Sequence, residues 1–259
     1  MLAAAPNGLV LLIGHSHVAA VEEAWREREA RGVAPFPLQT VSFVGKLAGR
    51  LEKVGGEARL GAGLSGLIVS ALQATRPALV VAAFWGGQHF PLSAANNPRR
   101  FDFLAPGDDT ACDPQAELAP YDLVEAFLAR EFVDVTLMIA AVRAACAAPI
   151  LLIPAPPPMR DFVALPLRTS DRAVDAEIDR YGVAPPALRR KVWRVCDLIY
   201  KQIAAQTGVR LAPTAPGVTD AEGFRRPQFY GRDWIHANAG WGALVLDQIG
   251  GALRSEMGR

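Results

Sequence analysis

Three short runs, Leu9–Ile13, Ala78–Phe84 and Ile150–Ile153, contain no charged or amide side chain. A strand with no polar alternate positions has no face for water, so it must be covered on both sides; that is the position of strands in a parallel sheet between two layers of helices. The intervening sequence supplies the helices. Val18–Arg31 places Val18, Ala19, Val21, Ala24 and Trp25 at helical spacing among charges, and helices are likewise expected over Leu67–Ala74, Tyr121–Ala147, Pro186–Thr207 and Ala239–Arg254. Leu38–Val44 and Val209–Ala212 read as further strands, and Gly208 as the cap that ends the helix before the last of them. Strands alternating with helices imply right-handed crossovers and an α/β chain of three layers, α/β/α, around a five-stranded parallel sheet. Arg189, Arg190 and Lys191 are expected on the wet side of their helix.

The chain has 259 residues, 51% hydrophobic and 20% charged, enough for one sizeable core. Neither a repeat nor a linker divides it, so residues 1–259 read as one domain, with irregular insertions near 90–120 and 160–184 of the kind that form lids or binding loops. Twenty-seven Lys and Arg against 26 Asp and Glu leave a net charge of +1 with no basic block. That balance removes the electrostatic footprint of a nucleic-acid partner or a polybasic membrane anchor. Leu9–Ile13 is too short to span a membrane, and no positive charge precedes it. Cys112, Cys146 and Cys196 offer neither a metal-binding pair nor an even disulfide framework, which suits a reducing, cytoplasmic compartment and buried thiols.

All four histidines stand where elements begin or end: His15 and His17 after the first strand, His89 after the third, His236 before the last helix. Strand C-termini of a doubly wound sheet line one edge, the edge where ligands bind, so these histidines are expected to converge. In Gly14-His15-Ser16-His17 a hydroxyl sits on a strand-to-helix turn beside backbone N–H groups, the setting of an acyl-transfer nucleophile. The alternative is that Ser16 only caps the helix. Asp233-Trp234-Ile235-His236 offers a base and a carboxylate to orient it, which a serine needs in order to act at neutral pH. Against this stands an Asp capping a turn beside an incidental His.

Together these residues resemble the SGNH, or GDSL-like, hydrolase family. Gly14-His15-Ser16-His17 is similar to its first block, Leu64-Ser65-Gly66 to its second, Trp85-Gly86-Gly87-Gln88-His89 to its third, and Asp233-Trp234-Ile235-His236-Ala237-Asn238 to its fifth; Leu151–Pro158 resembles its strand and proline turn. The resemblance implies a flavodoxin-like strand order 2-1-3-4-5 and a catalytic triad of Ser16, His236 and Asp233. It also implies an oxyanion hole made by the N–H of Ser16, the N–H of Gly66 and the side-chain amide of Gln88. The family has asparagine where Gln88 stands, and many relatives have Asp or Asn where His15 stands. Gly61 and Gly63 lie close enough to compete with Gly66.

The expected function is hydrolysis of an O-acyl ester, acetyl or another short chain, on a carbohydrate or small metabolite, with no cofactor. An O-acyltransferase acting on a sugar hydroxyl, and a carbohydrate-binding protein that keeps the fold, are the alternatives. His15, His17, Trp85, His89 and Trp234 are candidate substrate-binding residues, the two Trp as stacking platforms for a sugar or simply as core. A metal site made of His15, His17, Asp233 and His236 is the rival chemistry.

Overall fold

The structure is a computed structural model and describes residues 8–43, 51–84, 87–108, 110–161 and 172–258. Five strands form the main sheet: β1 (Val10–Gly14), β2 (Leu38–Ser42), β3 (Leu79–Ala83), β4 (Ile150–Leu152) and β5 (Arg210–Leu211). Their spatial order is 2-1-3-4-5 and every pairing is parallel. β1 is an interior strand, pairing Gly14 with Ser42 on one side and with Ala83 on the other. Its apolar residues and those of β3 are fully buried, as their lack of polar alternation requires.

The long helices are α1 (Val18–Ala30), α2 (Ala62–Thr75), α3 (Tyr121–Glu131), α4 (Val133–Ala145), α5 (Arg172–Tyr181), α6 (Pro186–Thr207) and α7 (Ala239–Met257). The strand order reverses at β1, and right-handed crossovers then place α1 and α7 together on one face. The two helices are tied by Arg28, which donates to Asp247 Oδ1 at 2.8 Å and to the Ala243 carbonyl at 3.1 Å. α2, α4 and α6 cover the other face. Gly208, in the left-handed region at φ 64°, ends α6 as expected.

Several expectations change. Tyr121–Ala147 is two helices, because the backbone at Phe132 leaves helical geometry at φ −97° and ψ 2°. The insertion after β3 holds a helical turn, Phe90–Ser93, and a parallel pair, Phe101–Asp102 with Glu117–Leu118; the later insertion contains α5. An unexpected hairpin pairs Leu51–Val54 with Glu57–Leu60 through Gly55 and Gly56, both at positive φ. Val44, the expected end of the second strand, lies outside the described residues.

The basic residues of α6 are the largest correction. Arg189 and Lys191 are 3% and 0% exposed, not on a wet face. The insertions lie over this side of α6 and supply partners. Lys191 Nζ donates to Asp102 Oδ1 at 2.9 Å, and Arg189 donates to the carbonyls of Ala184 (3.0 Å), Arg160 (2.5 Å) and Met159. Arg190 reaches the Glu222 carbonyl at 2.7 Å and Thr110, and Arg194 pairs with Asp108 at 2.8 Å. Cys146 and Cys196 are buried; Cys112, half-buried, accepts from Lys191 at 3.4 Å.

Candidate active site

The site is built on the C-terminal ends of β1 and β3. Gly14 closes β1 where the strands press together: a Cβ there would lie 2.3 Å from the Ala83 carbonyl oxygen. The next amide, His15 N–H, donates to that same oxygen at 3.2 Å, after which the chain turns through Ser16 and His17 into α1. Ser16 is half-buried, and among the described residues its hydroxyl and its N–H make no hydrogen bond. The helix-cap reading fails locally, since the cap position of α1 is held by His17, whose side chain makes no capping bond.

Asp233 and His236 occupy a tight turn ahead of α7. Gly231 N–H donates to the His236 carbonyl at 2.9 Å, closing the turn. Within it the Asp233 carboxylate accepts from the N–H of Ile235 (2.9 Å), from the N–H of His236 (2.8 Å) and from His236 Nδ1 (2.8 Å to Oδ1, 2.7 Å to Oδ2). Burial alone would raise the pKa of Asp233, but these hydrogen bonds and the His236 ring hold it below the usual carboxylate value. An ionised Asp233 on Nδ1 fixes the proton there and leaves Nε2 of His236 as the basic nitrogen. Asn238 plays a structural part, capping α7 by accepting from Trp241 N–H at 3.2 Å.

His17 joins the two segments. Its ring lies 5.0 Å from that of His236 at 31°, and its Nε2 is 3.4 Å from the Ile235 carbonyl oxygen. Burial first, then the fields of His236 and Arg225, push its pKa well below the ordinary histidine value, so the ring is neutral near pH 7. His17 is thus packed against His236 and 1% exposed. His15, also buried, sets its ring at 70° to Phe43 with centroids 5.9 Å apart.

On the β3 side, Gly87 adopts φ +80°, where a Cβ would meet the Phe90 ring at 2.6 Å. This left-handed turn delivers Gln88, buried, and His89 to the edge beside β1. Burial and the field of Arg225 lower the pKa of His89 to about 4. Phe90 links the segment after β3 to the Asp233–His236 turn, with its ring 4.5 Å from His89 and 4.7 Å from Trp234. Trp234 is half-buried in that cluster, and Trp85 lies outside the described residues.

Gly66 does not fit the role the resemblance gives it. It lies in the second turn of α2, where the backbone N–H belongs to the helix ladder, and a Cβ there would meet nothing. The donors left over by a helix are those of its first turn. In α2 these lie just after the N-cap Gly61, at Gly63 and Leu64. Among the described residues no group of three or more His, Cys, Asp or Glu could hold a metal ion. No helix among them is long and apolar enough to cross a membrane.

Sequence reasoning missed two residues. Arg225, 2% exposed, sends Nη2 toward the carbonyls of Trp234 (3.4 Å) and Ile235 (3.5 Å). Phe90 was inside a stretch without periodicity. Neither stands in a pattern that distinguishes it from an ordinary surface arginine or core aromatic.

The sequence matches no protein-family profile and no curated protein sequence. Solved structures do resemble it. A protein from Bacteroides fragilis described as an acylhydrolase superposes with a TM-score of 0.51 at 10% identity, over 98% of this chain and 90% of that one. The periplasmic domain of a lipopolysaccharide acetyltransferase from Salmonella ser. Paratyphi A gives 0.51 at 12% identity, over 96% and 84%. A GDSL-like lipase from Bacteroides thetaiotaomicron gives 0.49 at 12% identity, over 96% and 89%. With this strand order, and superposing along nearly its whole length on that acylhydrolase and that acetyltransferase domain, the chain has their fold, the one expected from its resemblance to the SGNH, or GDSL-like, hydrolases.

Proposed function

We propose that the protein is an acyl-ester hydrolase with Ser16 as nucleophile, His236 as base and Asp233 as the group that orients it. The observation that carries this reading is the bond from His236 Nδ1 to the Asp233 carboxylate, 2.7 Å, in a turn whose histidine packs at 5.0 Å against the ring next in sequence to Ser16. His236 Nε2 takes the Ser16 proton as Oγ attacks the ester carbonyl. The tetrahedral oxyanion is held by the free N–H of Ser16, the Gln88 amide and a first-turn N–H of α2. On collapse the alcohol leaves with the proton from His236, and water, deprotonated by the same nitrogen, releases the acid and restores Ser16. The substrate is an acetyl or other short-chain ester of a carbohydrate or small metabolite.

Transfer of the acyl group to a sugar hydroxyl is the second reading, favoured by the likeness to a lipopolysaccharide acetyltransferase domain. The acyl-enzyme forms in the same way, and a sugar hydroxyl takes the place of water. The test is turnover of 4-nitrophenyl acetate by wild type and Ser16→Ala, with a fluorophosphonate probe followed by intact mass. Ser16-dependent turnover and a single adduct on Ser16 are expected; labelling elsewhere, or turnover that survives Ser16→Ala, overturns the assignment. Adding methyl glycosides as acceptors separates hydrolysis from transfer.

A further inference from the structure

Arg225 is among the largest side chains the fold buries completely. Its backbone N–H donates to the Pro158 carbonyl at 2.9 Å, tying it to the proline turn after β4. Its guanidinium lies 5.7 Å from the centre of the Tyr230 ring. Nη2 makes two long contacts with the carbonyls ahead of His236, while Nε and Nη1 are buried with no hydrogen-bond partner among the described residues. Arg189 shows what a structural buried arginine looks like in the same molecule, since its nitrogens are engaged by three carbonyls. Burial brings the guanidinium of Arg225 down to about 10, which still leaves it cationic at neutral pH.

No carboxylate among the described residues forms an ion pair with this cation. Asp233 is near enough to be felt, but its oxygens are committed to His236 Nδ1 and to two backbone N–H groups. When His236 takes the Ser16 proton, the imidazolium neutralises Asp233, and Arg225 remains as the unmatched charge beside the reacting groups. The field reaches both strand ends, for it bears on His17 after β1 and on His89 after β3. A buried charge with unused donors is costly unless something supplies the opposite sign.

We propose that Arg225 is the specificity-determining cation of this site, and that the ester it selects carries a carboxylate, on either its acyl or its alcohol portion. The proposal rests on the acyl-ester reading above. Arg225 acts through its field, in a wall of low polarity where a unit charge roughly 8 Å away is worth roughly a 30-fold preference.

The experiment compares kcat/KM for matched charged and neutral esters. Mono-4-nitrophenyl succinate against 4-nitrophenyl acetate probes the acyl side; an acetylated methyl glucuronoside against the acetylated methyl glucoside probes the alcohol side. Wild type is expected to favour the anion by about 10–30-fold in at least one pair, Arg225→Lys to keep that preference, and Arg225→Met to lose it. A merely structural arginine would lower both rates and leave the ratio alone. Equal or inverted preference in both pairs, or a preference that survives in Arg225→Met, overturns the proposal. Should Arg225→Met fail to fold, inhibition of the wild type decides: succinate or glucuronate must compete where succinamide or glucose does not. If no ester is turned over in a Ser16-dependent way, the enzymatic reading is what fails. Calorimetric binding of glucuronate, but not glucose, to the wild type then decides for or against Arg225.

Discussion

Replacing Asp233 by Asn probes the site at the point where its geometry is tightest. The carboxylate serves two ends: Oδ1 accepts from the N–H of Ile235 and His236 at 2.9 and 2.8 Å, and both oxygens face His236 Nδ1 at 2.7–2.8 Å. An asparagine can keep its single oxygen on the two backbone amides, so the turn survives, but its NH₂ group must then face Nδ1. That nitrogen becomes the acceptor, the ring proton moves to Nε2, and the nitrogen that the proposed mechanism assigns as base can no longer take a proton. The imidazolium formed during attack also loses its counter-charge. Together these effects cost about 10⁴-fold in kcat in triads of this kind, which is about 5.4 kcal/mol of barrier. Steady-state hydrolysis of 4-nitrophenyl acetate measures it, with near-UV circular dichroism to confirm that the turn is intact. A folded Asp233→Asn protein within tenfold of the wild-type rate would refute the idea that Asp233 governs the state of His236.

Gln88→Ala is expected to lower kcat about 10²–10³-fold with KM little changed, the effect of losing one oxyanion donor, and an unchanged rate removes Gln88 from that role. Stability should fall on acidification: the lowered values of His17 and His89 keep both neutral when folded, so their contribution is complete above about pH 6.5 and falls below it, that of His89 being lost as pH drops through about 4. Near pH 5 unfolding takes up close to one proton at His89, a slope of about 1.4 kcal/mol per pH unit to which His17 adds in the same direction; urea midpoints that stay flat from pH 7 to 5 contradict it. Lys191→Met strands the buried Asp102 carboxylate and should cost about 3–5 kcal/mol in urea unfolding, whereas a loss below about 1 kcal/mol would mean the pair is relaxed by water.

Much of the architecture was legible because it follows from burial. β1 and β3 carry no polar residue, so both faces had to be covered, and the parallel sheet follows from that. The hairpin at Leu51–Leu60 was not legible: its strands are exposed and charged, and only Gly55-Gly56 marks it. The break at Phe132 was hidden because the apolar spacing runs through it without Gly or Pro. Within the site, Asp233 and His236 were readable since their contact spans a single turn, a local relation that three residues of spacing can express. Gly66 misled for the opposite reason. A glycine's suitability as a donor depends on whether its N–H precedes or follows the first helical turn, and the helix begins at Ala62, earlier than the apolar spacing indicates.

Charged side chains are where pattern reading loses most, and α6 shows why. A helix advances about 100° per residue, so Arg189 and Lys191 point some 200° apart, and no single wet stripe can hold Arg189, Arg190 and Lys191 together. At least one of them had to face protein. Two do, because the insertion after β3 brings Asp102, and the segments flanking α5 bring the carbonyls of residues 159, 160 and 184, to meet them. The adjacent pair Arg225 and Arg226 poses the same problem on a loop, where no period exists to separate them: Arg226 stays exposed and donates to the Thr219 carbonyl at 2.8 Å, while Arg225 turns inward. The inward one is distinguishable only by what it lacks, a partner for Nε and Nη1, and such a lack becomes visible only when every neighbour is in place.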